Sequence, residues 1–502
     1  MTAAFSKFKN HLANWREWEM NPIVIKELRQ GVRSWTVTGM LLLFLVVLFI
    51  AALVFLLTES FSVSANMEMG ASMFSAFVVI LAGASVLFIP LYTGVRVAAE
   101  RQENNSDLLY VTTLSPARII LGKFLCSAYI TLLFFSACMP FMAFTNLLRG
   151  VDLPTVFFIL AFLFLVVCAA NMIAIFLACL PMSRPFKFLF VIYGFFQCFG
   201  IMASLVSSSF MFMRSGIGAM MTERNFWVGM TTAASLGLLG IGLFFVLSVA
   251  LISPSSANRA LPVRIYVSVL WLLGGLLCFS WVVRSGSGDL MILWLWLTFV
   301  MTIFALLVVI SNAEKLSLRV RRTIPQSGFK RFFAFFFFNG AAGGLLWIAG
   351  ILATTFWATR AIAMGIPAIS ASGGEYSMLA TTAAYAFAYA LTALFIQRKF
   401  LSKRPPKLAG LLAVLLAGAW AIMPSIVLFF LNRLSWKSVE GLQLGNVFNV
   451  FFTRESSQLL YHQYFAFGWL LAAMLLNVKW FAQQMKHFRP PEKNDPPPVI
   501  AK

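Results

Sequence analysis

The chain has 502 residues, of which 61% are hydrophobic and only 11% charged, and its formal net charge is +21. A soluble domain carries about 25% charged residues, and a soluble protein of this composition would expose apolar patches large enough to aggregate. Lipid, by contrast, accommodates helices that are apolar on every side. The composition therefore excludes an ordinary soluble protein and predicts an all-α polytopic membrane protein.

Uncharged stretches of about 18 residues or more indicate candidate membrane spans, and the chain contains twelve of them. The predicted spans are 36–57, 71–95, 122–147, 155–180, 188–210, 228–252, 265–283, 290–311, 332–357, 378–397, 408–431 and 465–482. Glycine-rich polar segments interrupt the fifth and the ninth. The predicted regions are an N-terminal segment 1–35, a six-span region 36–252, two spans with a basic link 253–331, four spans 332–482 and a proline-rich tail 483–502.

Lysine and arginine gather on the cytoplasmic side of membrane proteins, which orients the spans. If residues 1–35 are cytoplasmic and the connections alternate, 30 of the 38 Lys and Arg residues fall inside, together with nine acidic residues. The other eight basic residues and eight acidic residues fall outside, so the whole net charge lies on one face. The sequence thus predicts that both termini are cytoplasmic. Topology and anionic headgroups explain the basic pI, and no nucleic-acid partner is expected.

Chemical groups for catalysis are sparse in this sequence. The six cysteines lie in or beside apolar runs without metal-ligand spacing, so we interpret them as small core residues. The three histidines, His11, His462 and His487, fall outside the predicted spans, whose interiors contain essentially no Asp, Glu, Lys or Arg. Intramembrane enzymes and ion-coupled transporters need such groups. There is also no GxxxxGK[ST] loop. We therefore expect no enzyme activity, cofactor or metal in this chain.

Residues 15–35 precede the first span and have the pattern of an amphipathic helix. Trp18, Ile25, Leu28, Val32 and Trp35 fall on one face, and Lys26, Arg29 and Arg33 line its edge. This pattern is typical of a helix that lies in the membrane interface, with Asn21 as N-cap and Pro22 in its first turn. A passive anchor would have the same pattern. The predicted interfacial residues are Trp18, Ile25, Lys26, Glu27, Leu28, Arg29, Arg33 and Trp35.

The loop 98–122 follows the second predicted span. With the next residue, Lys123, its sequence is AAERQENNSDLLYVTTLSPARIILGK. Ser115-Pro116 should end one helix and start the next, since the residue before proline disfavours the α conformation. Asp107, Leu108 and Leu109 combine an acidic residue with two leucines in a cytoplasmic loop. This combination suits a contact with a partner protein, although an ordinary solvated loop remains the alternative.

The two segments in this order, NPIVIKELRQGVRSW before the first span and ERQENNSDLLYVTTLSPARIILGK after the second, resemble the permease subunits of ABC-2 type transporters. The first is similar to the connecting helix of that family and the second to its coupling region. The resemblance implies coupling residues at the positions Glu100, Glu103, Asp107, Leu108, Leu109, Pro116 and Lys123. It covers roughly residues 20–125 and extends less clearly through the sixth span.

The resemblance implies a permease, mostly an exporter in this family, in the bacterial inner membrane. A separate cytoplasmic P-loop ATPase would hold ATP and Mg, and its motion would pass through the loop near 100–116 and the helix near 22–35. Family members commonly have six spans, whereas this chain has twelve predicted ones. Either two halves are fused or a six-span permease carries an extension, and the extension would imply a homodimer. Nothing in the spans selects a substrate.

Two other functions remain open from the sequence. An ion-coupled secondary transporter commonly has twelve spans and cytoplasmic ends, but it should contain buried charges and a basic loop after the second span. A non-transporting membrane anchor or assembly factor with permease architecture should lack an ATPase partner. An ATPase gene beside this one would favour the permease over both.

Overall fold

The computed structural model describes most of the chain. The described ranges are 22–59, 69–102, 115–148, 151–181, 222–254, 256–286, 289–312, 316–365, 373–431, 443–452 and 456–491, together with the helical residues 192, 194, 196, 199–200, 202–204 and 207. These ranges contain helices, turns and irregular segments but no strand. The predicted all-α class is therefore confirmed for the described part of the chain.

The chain divides into two compact units, Met1–Pro254 and Ser255–Lys502. The boundary lies two residues after the predicted six-span region. The helices of unit 1 are α1 Pro22–Val32, α2 Trp35–Glu59, α3 Met69–Ala82, α4 Ile89–Gln102, α5 Pro116–Leu147, α6 Leu153–Cys179 and α7 Arg224–Ile252. The helices of unit 2 are α8 Ala260–Ser285, α9 Asp289–Ile310, α10 Leu318–Arg321, α11 Gly328–Phe337, α12 Ala341–Gly365, α13 Gly373–Phe400, α14 Leu408–Leu431, α15 Asn449–Phe452 and α16 Ser456–His487.

Eleven helices in the described part of the chain are long and apolar enough to cross a membrane, which indicates an integral membrane protein. They correspond to eleven of the twelve predicted spans. The remaining predicted span, 188–210, lies largely outside the described residues. The span count and the orientation of the termini stay predictions.

The ninth predicted span began too early. The sequence predicted a span over 332–357, but the structure ends α11 at Phe337 and begins the membrane-length helix α12 at Ala341. Between them, Gly340 adopts φ 136°, which a residue with a side chain rarely adopts. The hydropathy-based prediction merged the two helices into one span because the second half of α11 consists mostly of phenylalanines.

A π-helical turn, Gly83–Phe88, joins α3 to α4 without a break. Pro90 follows in α4 and lacks the backbone N–H that would donate to the carbonyl of Val86. A π-helical turn is a common way to accommodate such a loss. The core of unit 1 surrounds this joint and includes Phe74, Phe77 and Phe134, none of which is exposed.

Candidate functional site

The inward face of α1 carries a carboxylate. Val24, Glu27 and Gly31 recur at helical spacing and are the buried residues of this helix, which packs against α5. Glu27 is only 5% exposed. A carboxylate buried in this way is costly unless cations and hydrogen-bond donors surround it.

Two cations from different helices meet Glu27. Lys123 Nζ of α5 lies 3.1 Å from Glu27 Oε1, and Arg96 Nη2 of α4 lies 3.3 Å from Glu27 Oε2. Lys123 also pairs with Glu100 of α4. We call Glu27, Arg96, Glu100 and Lys123 the four-charge cluster. Its two carboxylates balance its two cations, so its formal charge is zero.

Arg96 has further partners beyond Glu27. Its Nη1 donates to Tyr92 Oη at 2.8 Å, and its Nη2 donates to Gln30 Oε1 of α1. The guanidinium carbon lies 5.9 Å from the centre of the Tyr92 ring. Arg96 therefore connects α4 to α1 at two positions, one helical turn apart on α1.

A small cavity of about 20 Å³ lies beside the cluster. Its lining combines Glu27, Arg96 and Lys123 with Tyr92, Thr93, Val97, Cys126, Ser127 and Ile130. A polar cavity of roughly this size holds about one water molecule. The charged groups thus lie at a junction of α1, α4 and α5 where Glu27 and Lys123 are buried while Arg96 and Glu100 are partly exposed.

Local sequence places three members of the cluster. Arg96 and Glu100 are four residues apart on α4, so both face the same side of that helix. Ser115 caps α5, since its Oγ accepts from the backbone N–H of Arg118 at 3.4 Å, and Pro116 occupies the first turn. The predicted helix start at Ser115-Pro116 is confirmed, and the predicted end of the preceding helix lies outside the described residues. Lys123 follows about two turns into α5.

Of the residues predicted for coupling, Glu100 and Lys123 are in contact, as an ion pair. Pro116 lies at the start of α5 and does not belong to the cluster. The other predicted coupling residues, Glu103, Asp107, Leu108 and Leu109, lie outside the described residues.

The amphipathic helix differs from its prediction in extent and in two side chains. It ends at Val32, and the chain turns before Trp35, which begins α2. Leu28 is half-buried against the unit 1 core instead of sharing the exposed face of Ile25 and Val32. Glu27 faces the protein rather than the headgroups.

The exposed residues of this segment fit the prediction more closely. Ile25 is 45% exposed and Trp35 is 87% exposed. The basic residues Lys26, Arg29 and Arg33 are exposed as well. Trp18 lies outside the described residues.

Sequence reasoning missed Arg96, Tyr92 and Gln30. It assigned the charges near 96–123 to the cytoplasmic side because the predicted second span stopped at residue 95. The helix continues, and the candidate span runs from Gly70 to Glu100, so Arg96 lies near the end of a membrane-length helix. An arginine inside a membrane-length helix is itself an indication of a site.

His462, which the sequence placed outside the predicted span 465–482, lies in the first two turns of α16. This residue is fully buried within the membrane-length helix α16. Its Nδ1 lies 3.0 Å from Tyr385 Oη, and its Nε2 lies 3.4 Å from Asn449 Nδ2. Tyr385 Oη also accepts from the backbone N–H of Gly445 at 3.2 Å. A buried polar cluster therefore exists in unit 2.

The described residues contain no group of three or more His, Cys, Asp or Glu side chains that could hold a metal ion. Five of the six cysteines are described, and all five are buried: Cys126, Cys138, Cys168, Cys179 and Cys278. Their interpretation as core residues is confirmed, and Cys198 lies outside the described residues.

Comparisons of the chain with protein-family models, with curated proteins and with solved structures gave no match.

Proposed function

We propose that this chain is the membrane-spanning subunit of an ATP-driven transporter of the ABC-2 type, an exporter powered by a separate cytoplasmic ATPase. The resemblance of residues 20–125 to that family is the sequence basis. The observation that carries the proposal is the four-charge cluster, because it joins the two segments of that resemblance through direct ion pairs.

The cluster offers a path for mechanical coupling. The segment 103–114 connects α4, which carries Glu100, to α5, which carries Lys123. A partner that pulls or pushes this segment would displace Glu100 and Lys123. Because both Lys123 and Arg96 bind Glu27, the displacement would reach α1. It would then reach α2, because only two residues separate the end of α1 at Val32 from the start of α2 at Trp35.

The cluster also favours joint movement of the helices that it connects. Its groups are neutral as a set, but separating Glu27 from its partners leaves an unpaired charge at a buried position. Such a junction favours movement of α1, α4 and α5 together rather than independently. Transport by alternating access requires this kind of joint movement.

Co-purification tests the partnership. The full chain, extracted in mild detergent, should carry a P-loop ATPase, and Asp107→Lys combined with Leu108→Ala and Leu109→Ala should reduce the recovered ATPase at least about tenfold, equivalent to about 1.4 kcal/mol. Equal recovery with the altered loop would reject the coupling assignment. Failure to recover any ATPase would reject the permease proposal and favour an anchor or assembly factor.

A second test separates binding from coupling. Glu27→Gln should leave ATPase recovery unchanged but lower cargo-dependent stimulation of ATP hydrolysis, since Glu27 is buried on α1 and is not one of the loop residues expected to bind the ATPase. The matched control is Glu223→Gln, which makes the same chemical change at an exposed position of unit 1. If both variants retain full stimulation, the cluster does not transmit the movement.

His462 supports one alternative, an ion-coupled secondary transporter. A titratable group buried within a membrane-length helix is typical of proton-coupled transport. For this alternative, transport in proteoliposomes should require a proton gradient and persist without ATP. Loss of that dependence in His462→Gln would favour it, whereas transport that needs ATP and tolerates His462→Gln would exclude it.

A further inference from the structure

Helix α11 presents a stripe of exposed phenylalanines. Phe329, Phe332 and Phe333 are 75%, 53% and 50% exposed and recur at positions i, i+3 and i+4. Their rings contact each other, with centroids 5.0 Å apart for Phe329 and Phe333. In water such a stripe would be an aggregation hazard.

The opposite side of α11 packs on unit 2. Phe335 belongs to a small apolar cluster with Val320, Ile324 and Phe488. The phenylalanine stripe therefore does not result from a helix that has come loose from the protein. One face is bound and the other is left exposed.

A buried arginine fixes the end of α11. Arg264 of α8 is 3% exposed, and its Nη1 donates to the carbonyls of Phe336 and Phe338 at 2.8 and 2.7 Å. Its Nη2 donates to the carbonyl of Gly340 at 3.1 Å. The carbonyls of Phe336 and Phe338 lie at the negative end of the α11 dipole, which favours a cation there.

Two asparagines strengthen the same joint. Asn339 Oδ1 accepts from the backbone N–H of Ala260 at 2.8 Å, and Asn258 Oδ1 accepts from the backbone N–H of Asn339 at 3.2 Å. The linker between α11 and α12 is thereby held against the start of α8. The direction of α11 is set by hydrogen bonds rather than by its own sequence alone.

Helix α11 lies directly before a candidate membrane span. Only three residues, Phe338 to Gly340, separate α11 from the candidate span that begins at Ala341. The exposed cations Arg319, Arg322 and Lys330 lie on or just before α11. Lys330 is at the edge of the phenylalanine stripe. Apolar residues beside cations are the pattern of an in-plane interfacial helix.

We propose that α11 is a lipid-binding helix whose phenylalanine stripe enters the acyl region and whose cations select anionic phospholipid. Charge complementarity determines the occupant, because three exposed cations without an exposed acidic residue among the described residues 316–340 suit negatively charged headgroups. The proposal does not depend on the ATPase partnership. A second copy or another protein covering the stripe is an alternative that the following experiment distinguishes.

The test uses the full chain in lipid nanodiscs. A polarity-sensitive fluorophore is attached at Phe333→Cys, and the unmodified chain treated with the same reagent gives the background. Quenching of the fluorophore is measured in two kinds of nanodisc that contain the same mole fraction of brominated lipid. In one the brominated lipid is an anionic phospholipid, and in the other it is a zwitterionic phospholipid. We expect the anionic lipid to quench at least about fivefold more effectively at low mole fraction, as one basic residue near the surface contributes about that factor.

Two charge variants make the test specific. The combination Arg319→Gln, Arg322→Gln and Lys330→Gln should abolish the preference for anionic lipid. The matched combination Lys403→Gln, Arg404→Gln and Lys407→Gln removes the same charge from the connection between α13 and α14 and should retain the preference. Equal quenching by both lipids would overturn the anionic selection, and no quenching by either would mean that protein, not lipid, covers the stripe.

Discussion

Replacement of Glu27 by glutamine tests the buried ion pairs most directly. Glutamine keeps the size of the side chain and one carbonyl oxygen but removes the charge that faces Lys123 at 3.1 Å and Arg96 at 3.3 Å. Breaking a buried pair costs about 3–5 kcal/mol when the remaining charge has no other partner. Here Lys123 retains Glu100, and Arg96 retains Tyr92 and Gln30. We therefore expect a smaller loss of about 2 kcal/mol, the range of a hydrogen bond to a charged group.

The assay is reversible unfolding of the full chain in mixed micelles with increasing denaturing detergent. Glu223→Gln is the control and should change the free energy of unfolding by less than about 0.5 kcal/mol, as exposed substitutions usually do. When Lys123→Met is added to Glu27→Gln, the cluster keeps one positive charge, on Arg96, and one negative charge, on Glu100. The double variant should therefore lose less than the sum of the single losses. Equal effects of Glu27→Gln and Glu223→Gln, or strict additivity of Glu27→Gln and Lys123→Met, would refute the buried network.

Two further predictions concern helix contacts. A side chain at Gly343 would place its Cβ 2.0 Å from the carbonyl oxygen of Phe335, so Gly343→Ala should lower the thermal unfolding temperature. On the same helix, a Cβ at Gly350 would have no atom within 4 Å, so the unfolding temperature of Gly350→Ala should equal or exceed that of the unsubstituted protein. Equal unfolding temperatures of the two variants would contradict this packing. Asn171 is fully buried, donates to Thr131 Oγ1 at 3.2 Å, and leaves its Oδ1 without a partner. Asn171→Leu should thus cost no more than about 1 kcal/mol in detergent unfolding, and a larger loss would indicate a bound water or ligand at that oxygen.

The membrane-spanning architecture could be read from the sequence because a long apolar run has few alternatives. The prediction of 36–57 agrees closely with α2, Trp35–Glu59, in which every residue from 40 to 57 is hydrophobic. Ser115-Pro116 likewise specifies a helix start by local chemistry. The span 332–357 was wrong because hydropathy does not register the break at 338–340, where Arg264 donates hydrogen bonds to the carbonyls of Phe338 and Gly340.

The tertiary structure alone decided the role of Glu27. In an 11-residue amphipathic helix, the sequence shows which side chains are apolar but not whether they face lipid or protein, since both environments are apolar. Glu27 belongs to the protein side because Val24 and Gly31 pack inward with it, while Ile25 and Val32 are exposed. Its partners Arg96 and Lys123 are 69 and 96 residues away. No local pattern specifies such a pairing, because it depends on how α1, α4 and α5 pack in three dimensions.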